Sequence, residues 1–323
     1  MCDEAWTLVP ATQVPRSRPT AVVTLGMGGS GIGGDLLRAL LHDEASIPVV
    51  AVKDYRIPSF VNSATLVFAC SYSGDSEETL AAYDEATQCG ASCVVITSGG
   101  DLLRRARERR HLTVQLPGGL PQRTALPYLL VPVLGVLTQM GIVGSFEAQL
   151  REAIQILQQV GAEQGREGAT LVQRVAESLL HRIPVIYSTS PFLEPVAQRW
   201  KDQLNENAKT FAVWNTFPEL NHNETVGWGM DNALAKSLVV VLLHDPHESE
   251  HITRRVTITR ELVFNKAASV QEVSARGEGK LARLLSGVML GDLVSWHLAG
   301  LRGVDPTPVP VIEEVKRRLA RSG

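Results

Sequence analysis

The sequence predicts an α/β protein of two doubly wound domains, each built around a parallel sheet. Three observations support this class. Short β-branched runs alternate with helical stretches from about Thr20 to Tyr128, a second round of alternation follows after about residue 181, and a glycine-rich turn joins the first strand to the first helix. Such alternation produces a parallel sheet covered by helices on both faces. A chain of 323 residues, 44% of them apolar, is long enough for two ordinary cores.

Five strand-like runs predict the first domain, residues 1–144. They are "AVVTL", "PVVAV", "TLVFAC", "CVVIT" and "LTVQL", and the segments between them carry leucines and alanines at helical spacing. Ligands of such a sheet bind at the carboxyl ends of its strands. We therefore expect functional residues in the loops that follow the strands.

The second domain, residues 145–323, opens with a polar helical stretch that ends near residue 181. Its predicted strands are "IPVIYS", "TFAVWN" and "LVVVLLH", and its later helices lie around Leu193–Leu204, Glu248–Val263 and Lys280–Leu301. The two halves thus belong to the same class, with a boundary near Gly144.

Composition and charge exclude several classes of function. A net charge of −3 argues against a nucleic-acid partner, and the basic run Leu102–His111 fits the solvated face of an amphipathic helix. The N-terminus lacks the pattern of a secretory signal, and polar residues interrupt the apolar run Lys280–Leu301, which reads as a core helix. The four cysteines show no metal-ligand or redox spacing. We expect a soluble cytoplasmic protein with no nucleic-acid or membrane partner.

A glycine-rich turn, "LGMGGSGIGG", follows the first strand and opens a helix. Without side chains, Gly28 and Gly29 let an anion approach the backbone and the N–H groups of the helix start, and Ser30 adds a hydroxyl. We predict a phosphate site here. The same letters fit the dinucleotide fingerprint G-x-G-x-x-G, with Asp54 placed as a ribose-binding acid. A tight strand-to-helix turn without a ligand is the third interpretation.

A second loop, "SYSGDSEET", follows the strand "TLVFAC" and favours a phosphate monoester. It offers the hydroxyls of Ser71, Ser73 and Ser76, and several hydroxyls can donate to the oxygens of one phosphate. A dinucleotide domain has no need of this cluster. For Ser76, an N-cap of the helix that begins at Glu77 is the alternative.

The two loops together resemble the sugar isomerase (SIS) domain, whose doubly wound sheet is flavodoxin-like. The segments "LPGGLPQRTALPYLL", "NENAK", "PELNHNE" and "RGVDPTPVPVIEEVKRRL" are similar to the bifunctional phosphoglucose/phosphomannose isomerase family of archaea and bacteria. The similarity runs over nearly the whole chain. It implies an aldose–ketose isomerase of glycolysis and gluconeogenesis that takes a phosphosugar, needs no cofactor or metal, and works as a homodimer with shared active sites.

The reaction needs a base that moves a proton between neighbouring carbons, a group that stabilises the enediolate, and an acid–base group that opens the sugar ring. The resemblance implies Glu206 as the base and His222 as the ring-opening residue, reaching the active site of the opposite subunit. It also implies Arg123 opposite the enediolate and Lys316 in the pocket. We add Thr307, in "DPTP", as a candidate for the residue that gives room for both epimers.

Each of these residues also has a purely structural interpretation. Glu206 could be a solvated glutamate at a helix end, Arg123 a salt-bridge partner, and Lys316 a cation of a last helical turn. His222 is one of eight histidines, most of which must be surface or core residues.

Two departures from the family pattern concern the first domain. The serine loop has Ser76 where we expect a threonine, which keeps the hydroxyl, and the segment before the first strand is short and contains prolines. In the second domain the corresponding turn, "VIYSTSPFLEP", lacks glycines. We therefore expect the first domain to bind phosphate and the second to supply Glu206 and His222.

Three other functions remain open at this point. A sugar-phosphate-binding regulatory protein would need no base, an oxidoreductase would bind a nicotinamide dinucleotide, and a related isomerase would act on a different phosphosugar. The segment "HDPHESEH" places His244, His247 and His251 among acids, but we interpret it as a polar turn and helix start rather than a metal site.

Overall fold

The computed structural model describes residues 1–10, 14–15, 18–165 and 170–322. The chain forms two compact units. Unit 1 comprises Met1–Gln155 and Gly277–Leu284, and unit 2 comprises Ile156–Arg276 and Leu285–Gly323. Each unit contains one parallel sheet, and the domain boundary near residue 144 stays a prediction.

Unit 1 contains a five-stranded parallel sheet with the order β2-β1-β3-β4-β5. This is the flavodoxin-like order, whereas the dinucleotide-binding fold has its first strand between its second and fourth. The strands are β1 (Ala21–Leu25), β2 (Val49–Val52), β3 (Thr65–Cys70), β4 (Ser92–Thr97) and β5 (Leu112–Gln115). The helices are α1 (Cys2–Thr7), α2 (Gly28–Leu40), α3 (Glu77–Gln88), α4 (Gly100–Glu108), α5 (Leu126–Gln139) and the first part of α6 (Glu147–Glu163).

The sequence pattern explains this layering. Strands β1 and β3 are buried along their whole length, as expected for central strands of a sheet covered on both faces. Helix α4 carries the predicted basic run, and its arginines pair with carboxylates: Arg105 with Asp101 and Asp84, and Arg104 with Glu108. These charges form a solvated helix face.

Unit 2 contains a four-stranded parallel sheet with the order β7-β6-β8-β9. The strands are β6 (Ile183–Ser188), β7 (Val213–Thr216), β8 (Leu238–His244) and β9 (Ser269–Ser274). The helices are the rest of α6, α7 (Leu171–Leu179), α8 (Glu194–Glu206), α9 (Glu224–Gly227), α10 (Asn232–Ala235), α11 (Glu250–Leu262), α12 (Lys280–Leu301) and α13 (Pro310–Ser322). The residues of α12 up to Leu284 belong to unit 1. Strand β9, "SVQEVS", was not predicted because an edge strand needs no continuous apolar run.

Helix α8 packs against α12 through side chains that interrupt the apolar pattern of α12. The indole of Trp200 is fully buried and donates to the carbonyl of Gly287 at 2.8 Å. Arg199, also buried, makes a two-pronged ion pair with Asp292, with N–O distances of 3.1 and 2.9 Å. Asp292, a half-buried polar residue of α12, thus has its partner on α8, the helix that carries Glu206.

Helix α12 is, among the described helices, the one whose length and composition would suffice to cross a membrane. Its most apolar stretch is 61% buried within the protein. Together with the contacts to Trp200 and Arg199, this burial is that of a core helix, as the sequence predicted.

The packing of α8 on α12 gives a stability prediction. A Cβ atom added at Gly291 would lie 2.4 Å from the rigid indole of Trp200, so we expect Gly291→Ala to lower the free energy of unfolding by about 2 kcal/mol or more. Gly300→Ala in the same helix meets open space and should stabilise by up to about 1 kcal/mol through helix propensity. Urea unfolding measures both, and equal effects of the two variants would contradict the packing explanation.

Candidate active site

The glycine turn forms the start of α2 directly after β1. Gly28 has φ of +50°, a left-handed conformation that favours glycine. A Cβ atom on Gly31 would lie 2.7 Å from the carbonyl oxygen of Gly26, so the turn tolerates no side chain there. Met27, at the N-cap, makes no side-chain cap. The amides of Ser30 and Gly31 donate to the carbonyl of Met27 at 3.0 and 3.1 Å, so the amides of Gly28 and Gly29, which receive no side-chain cap from Met27, are the candidate donors to an anion.

The serine loop lies at the carboxyl end of β3, next to β1 in the sheet. The hydroxyl of Ser71 accepts from the amide of Gly74 at 3.1 Å and lies 3.3 Å from the hydroxyl of Ser76. The hydroxyl of Ser73 accepts from the amide of Asp75. Ser76 occupies the N-cap of α3 but makes no side-chain cap. Its hydroxyl bonds to that of Ser71 and not to the start of α3, and its binding of phosphate stays a prediction.

Tyr72 connects the two loops to the segment that leads to Arg123. Its backbone amide donates to the hydroxyl of Ser30 at 3.3 Å. Its phenol, buried, donates to the carbonyl of Pro117 at 2.8 Å and accepts from the amide of Leu120 at 3.0 Å. Sequence reasoning missed this residue, although an aromatic side chain between two loop serines was a visible signal.

Arg123 lies in a short 3-10 helix, Gln122–Thr124, that packs against the glycine turn. A Cβ atom on Gly29 would stand 3.4 Å from the carbonyl oxygen of Gln122 and 3.5 Å from the Cα of Arg123. Arg123 is half-buried. Unit 1 therefore brings together the residues predicted to bind the substrate's phosphate and to face the enediolate: Gly28, Gly29, Ser30, Ser71, Ser73, Ser76 and Arg123.

Removing the phenol oxygen of Tyr72 tests this connection. We expect Tyr72→Phe to lower kcat for sugar-phosphate isomerisation about tenfold, because the loop carrying Arg123 loses two hydrogen bonds and shifts. Tyr83→Phe is the matched control, since the Tyr83 hydroxyl pairs with His111 at 2.7 Å within the same unit. Steady-state kinetics give kcat for both variants. An equal loss of kcat in Tyr83→Phe would contradict the role of Tyr72.

Glu206 is the last residue of α8 and is half-buried. The asparagines on either side of Glu206 form side-chain hydrogen bonds with neighbouring segments of the chain. The side-chain oxygen of Asn205 accepts from the amide of Ala212 at 3.2 Å, and the amide of Asn207 donates to the hydroxyl of Ser295 on α12 at 2.9 Å. These neutral side chains hold the end of α8 without adding charge beside the carboxylate.

His222 ends the 3-10 helix Glu219–His222, and its side chain is exposed. The segment that carries His222 is held in place by Glu224, two residues further along the chain. The carboxylate of Glu224 accepts hydrogen bonds from the phenol of Tyr187 on β6 and the amide of Asn215 on β7. Burial, followed by this carboxylate, raises the pKa of Tyr187, so the phenol stays protonated and keeps donating.

The remaining candidates lie near the C-terminus, in unit 2. Thr307 is exposed in the turn between α12 and α13, where its amide donates to Asp305 at 2.8 Å. Lys316 is exposed on α13, whose neighbouring Arg317 and Arg318 pair with Glu314. Glu206 is connected to the turn of Thr307 through Lys209. His222 and Lys316 stand on other elements of the same unit.

Cys70 ends β3 just before the serine loop, and burial raises the pKa of its thiol to about 12, so it is neutral at physiological pH. In the part of the chain that the structure describes, no three His, Cys, Asp or Glu side chains converge as metal ligands.

Comparison with known proteins decides the family. The model of the bacterial phospho-glucose isomerase C-terminal SIS domain matches residues 170–319. The bifunctional phosphoglucose/phosphomannose isomerase of Caldicellulosiruptor bescii is 38% identical, over 93% of this chain and 89% of the relative. That of Aquifex aeolicus is 37% identical, over 93% and 90%.

The chain belongs to this bifunctional isomerase family. Its fold also matches that of solved sugar-phosphate enzymes. The structure of tagatose-6-phosphate ketose/aldose isomerase from Escherichia coli superposes with a TM-score of 0.67 at 16% identity, over 95% of this chain and 88% of that one. The prediction of two doubly wound SIS domains is thereby confirmed.

Proposed function

We propose that the protein interconverts glucose 6-phosphate, and also mannose 6-phosphate, with fructose 6-phosphate through an enediol(ate). Similarity to the bifunctional isomerases over 93% of the chain carries this proposal. The segments that carried the resemblance include the glycine turn, the serine loop and the 3-10 helix of Arg123 in unit 1, and the end of α8 in unit 2.

In unit 1 we assign the phosphate to the start of α2 and to the serine loop. Gly28 and Gly29 place no side chain before the N–H groups of the helix start. The hydroxyls of Ser30, Ser71, Ser73 and Ser76 can rotate to donate to phosphate oxygens. Arg123 approaches this region along the glycine turn. Its guanidinium stays charged through the reaction and can place two donors on adjacent oxygens of the enediolate.

In unit 2 we assign the proton transfers. Glu206 removes the proton from C2 of the aldose, or from C1 of the ketose, and returns it to the neighbouring carbon. The electron pair of the broken C–H bond moves into the C1–C2 double bond, and the former carbonyl oxygen becomes the oxyanion. The hydroxyl proton on the neighbouring carbon then passes to this oxygen, which leaves the new carbonyl on that carbon when the enediolate is reprotonated. His222 catalyses ring opening, which suits an imidazole near neutral pH. Lys316 adds positive charge, and Thr307 leaves room for both epimers.

We further propose a cytoplasmic homodimer in which His222 serves the opposite subunit. The exposed side chain of His222, on a segment anchored by Glu224, supports this assignment. The enzyme would stand in glycolysis and gluconeogenesis and would require neither cofactor nor metal.

Mixing two inactive variants tests whether each active site combines residues of both subunits. We expect Glu206→Gln and His222→Ala dimers, unfolded and refolded together, to regain activity, because one site of each mixed dimer combines an intact Glu206 with an intact His222. Half of the dimers should be mixed, with one active site each, so about a quarter of the wild-type activity should return. Refolding each variant alone is the control. A refolded mixture as inactive as its parents would show that both residues act within one subunit.

The proposed activity is tested by incubating the protein with fructose 6-phosphate and EDTA, without nucleotide, and measuring both aldoses. Formation of glucose 6-phosphate and mannose 6-phosphate would support a dual isomerase. Binding of fructose 6-phosphate without turnover would replace the proposal with a regulatory protein or an isomerase of another phosphosugar. A thermal shift produced by NAD and not by fructose 6-phosphate would favour an oxidoreductase.

A further inference from the structure

Lys209 stands three residues beyond Glu206, just after α8. Its backbone has φ of +51°, in the left-handed region that a lysine seldom adopts. Its ammonium donates to the carbonyl oxygens of Glu206 at 2.5 Å, Pro308 at 2.8 Å and Pro306 at 3.3 Å. The three N–H groups of one ammonium thus reach three acceptors from two separate parts of the chain.

The acceptors explain why this lysine is placed here. The carbonyl of Glu206 belongs to the last turn of α8, where carbonyls lack helical partners and carry partial negative charge. Pro306 and Pro308 flank Thr307 in the turn between α12 and α13, and prolines have no N–H with which to hold such a turn. The ammonium therefore joins the helix end that carries Glu206 to the turn that carries Thr307.

We propose that Lys209 is a positioning residue that sets the ratio of the two aldose products by fixing Thr307 relative to Glu206. This inference rests on the proposed function. Glucose and mannose 6-phosphate share one enediol, and they differ in the face of C2 to which the base returns the proton. That face is selected by rotation about the C2–C3 bond, so a turn that moves relative to the base changes the partition between the products.

The test measures the initial rates at which wild type, Lys209→Met and Lys209→Arg form the two aldoses from fructose 6-phosphate, because at equilibrium the ratio of the aldoses is the same for every variant. Methionine matches the length of the apolar stem of lysine but lacks the ammonium and its donors. We expect Lys209→Met to change the product ratio by about threefold or more, and Lys209→Arg, which retains charged donors, to restore it in large part. Lys236→Met is the matched control, because Lys236 donates to a backbone carbonyl, that of Ala267 at 2.9 Å, elsewhere in the unit.

The ratio of the two aldoses distinguishes a positioning role of Lys209 from a role in stability alone. Loss of folded enzyme would lower both products equally and leave their ratio unchanged. Deuterium exchange of the peptide covering residues 305–309 gives a second readout without turnover, and it should become faster in Lys209→Met but not in Lys236→Met.

An unchanged ratio in a folded Lys209→Met enzyme would overturn the inference and leave the isomerase intact. Unchanged exchange in residues 305–309 would overturn it as well. A wild type that forms neither aldose would instead overturn the proposed function, and the inference would fall with it.

Discussion

Glu206→Gln is expected to abolish formation of both aldoses from fructose 6-phosphate, with kcat reduced about 10²- to 10⁴-fold. The amide has nearly the same shape as the carboxylate but cannot accept a proton from carbon. Binding should persist, because the phosphate loops lie in unit 1 and are untouched by the change. The measurement combines kcat with a thermal shift on added fructose 6-phosphate.

Asp202→Asn is the matched control, since Asp202 lies one turn earlier on α8, where it pairs with Lys201. It should leave kcat near the wild-type value. Exchange of the C1 proton of fructose 6-phosphate with deuterated solvent gives a direct readout of the base. A Glu206→Gln enzyme that still exchanges this proton would show that another group performs the transfer.

Arg123→Met is expected to lower kcat about 10²- to 10³-fold, the usual cost of removing a donor that stabilises a developing oxyanion. The carbonyl of the bound sugar is neutral and the enediolate is charged, so the loss should fall on kcat more than on binding. Arg123→Lys should recover part of the activity, because an ammonium retains the charge but not the planar fork.

Arg151→Met serves as the control, because the side chain of Arg151 is 70% exposed and its partner Glu147 lies 3.9 Å away on the same helix. It should behave as wild type. If Arg123→Met raised KM and left kcat unchanged, the guanidinium would belong to substrate binding, and the assignment of Arg123 to the enediolate would be wrong.

Local sequence signals were strong enough to predict most of the fold. The apolar runs of β1, β3 and β8 and the helix-period stretches of α8 and α12 were all visible, because buried central strands and long core helices need continuous or periodic apolar residues. Strand β9 was not predicted, because a strand at the edge of a sheet is only partly buried and can form without an apolar run.

The candidate site was predicted in part, through motifs whose chemistry is local. A glycine turn before a helix and a serine cluster before the next one indicate an anion site without tertiary information. Tyr72 and Lys209 were not predicted. Tyr72 bonds to the carbonyl of Pro117, 45 residues away, and Lys209 to that of Pro306, 97 residues away. A local sequence pattern does not reveal such distant pairs.

The sequence by itself determined the α/β class, the glycine turn, the serine loop and the family, because each depends on residues that are neighbours in the chain. Only the tertiary structure decided the strand order of each sheet, the hydrogen bonds that tie Tyr72 to the segment leading to Arg123, and those that tie Lys209 to the turn of Thr307. These depend on which segments meet in space, and that is settled by the packing of the whole unit.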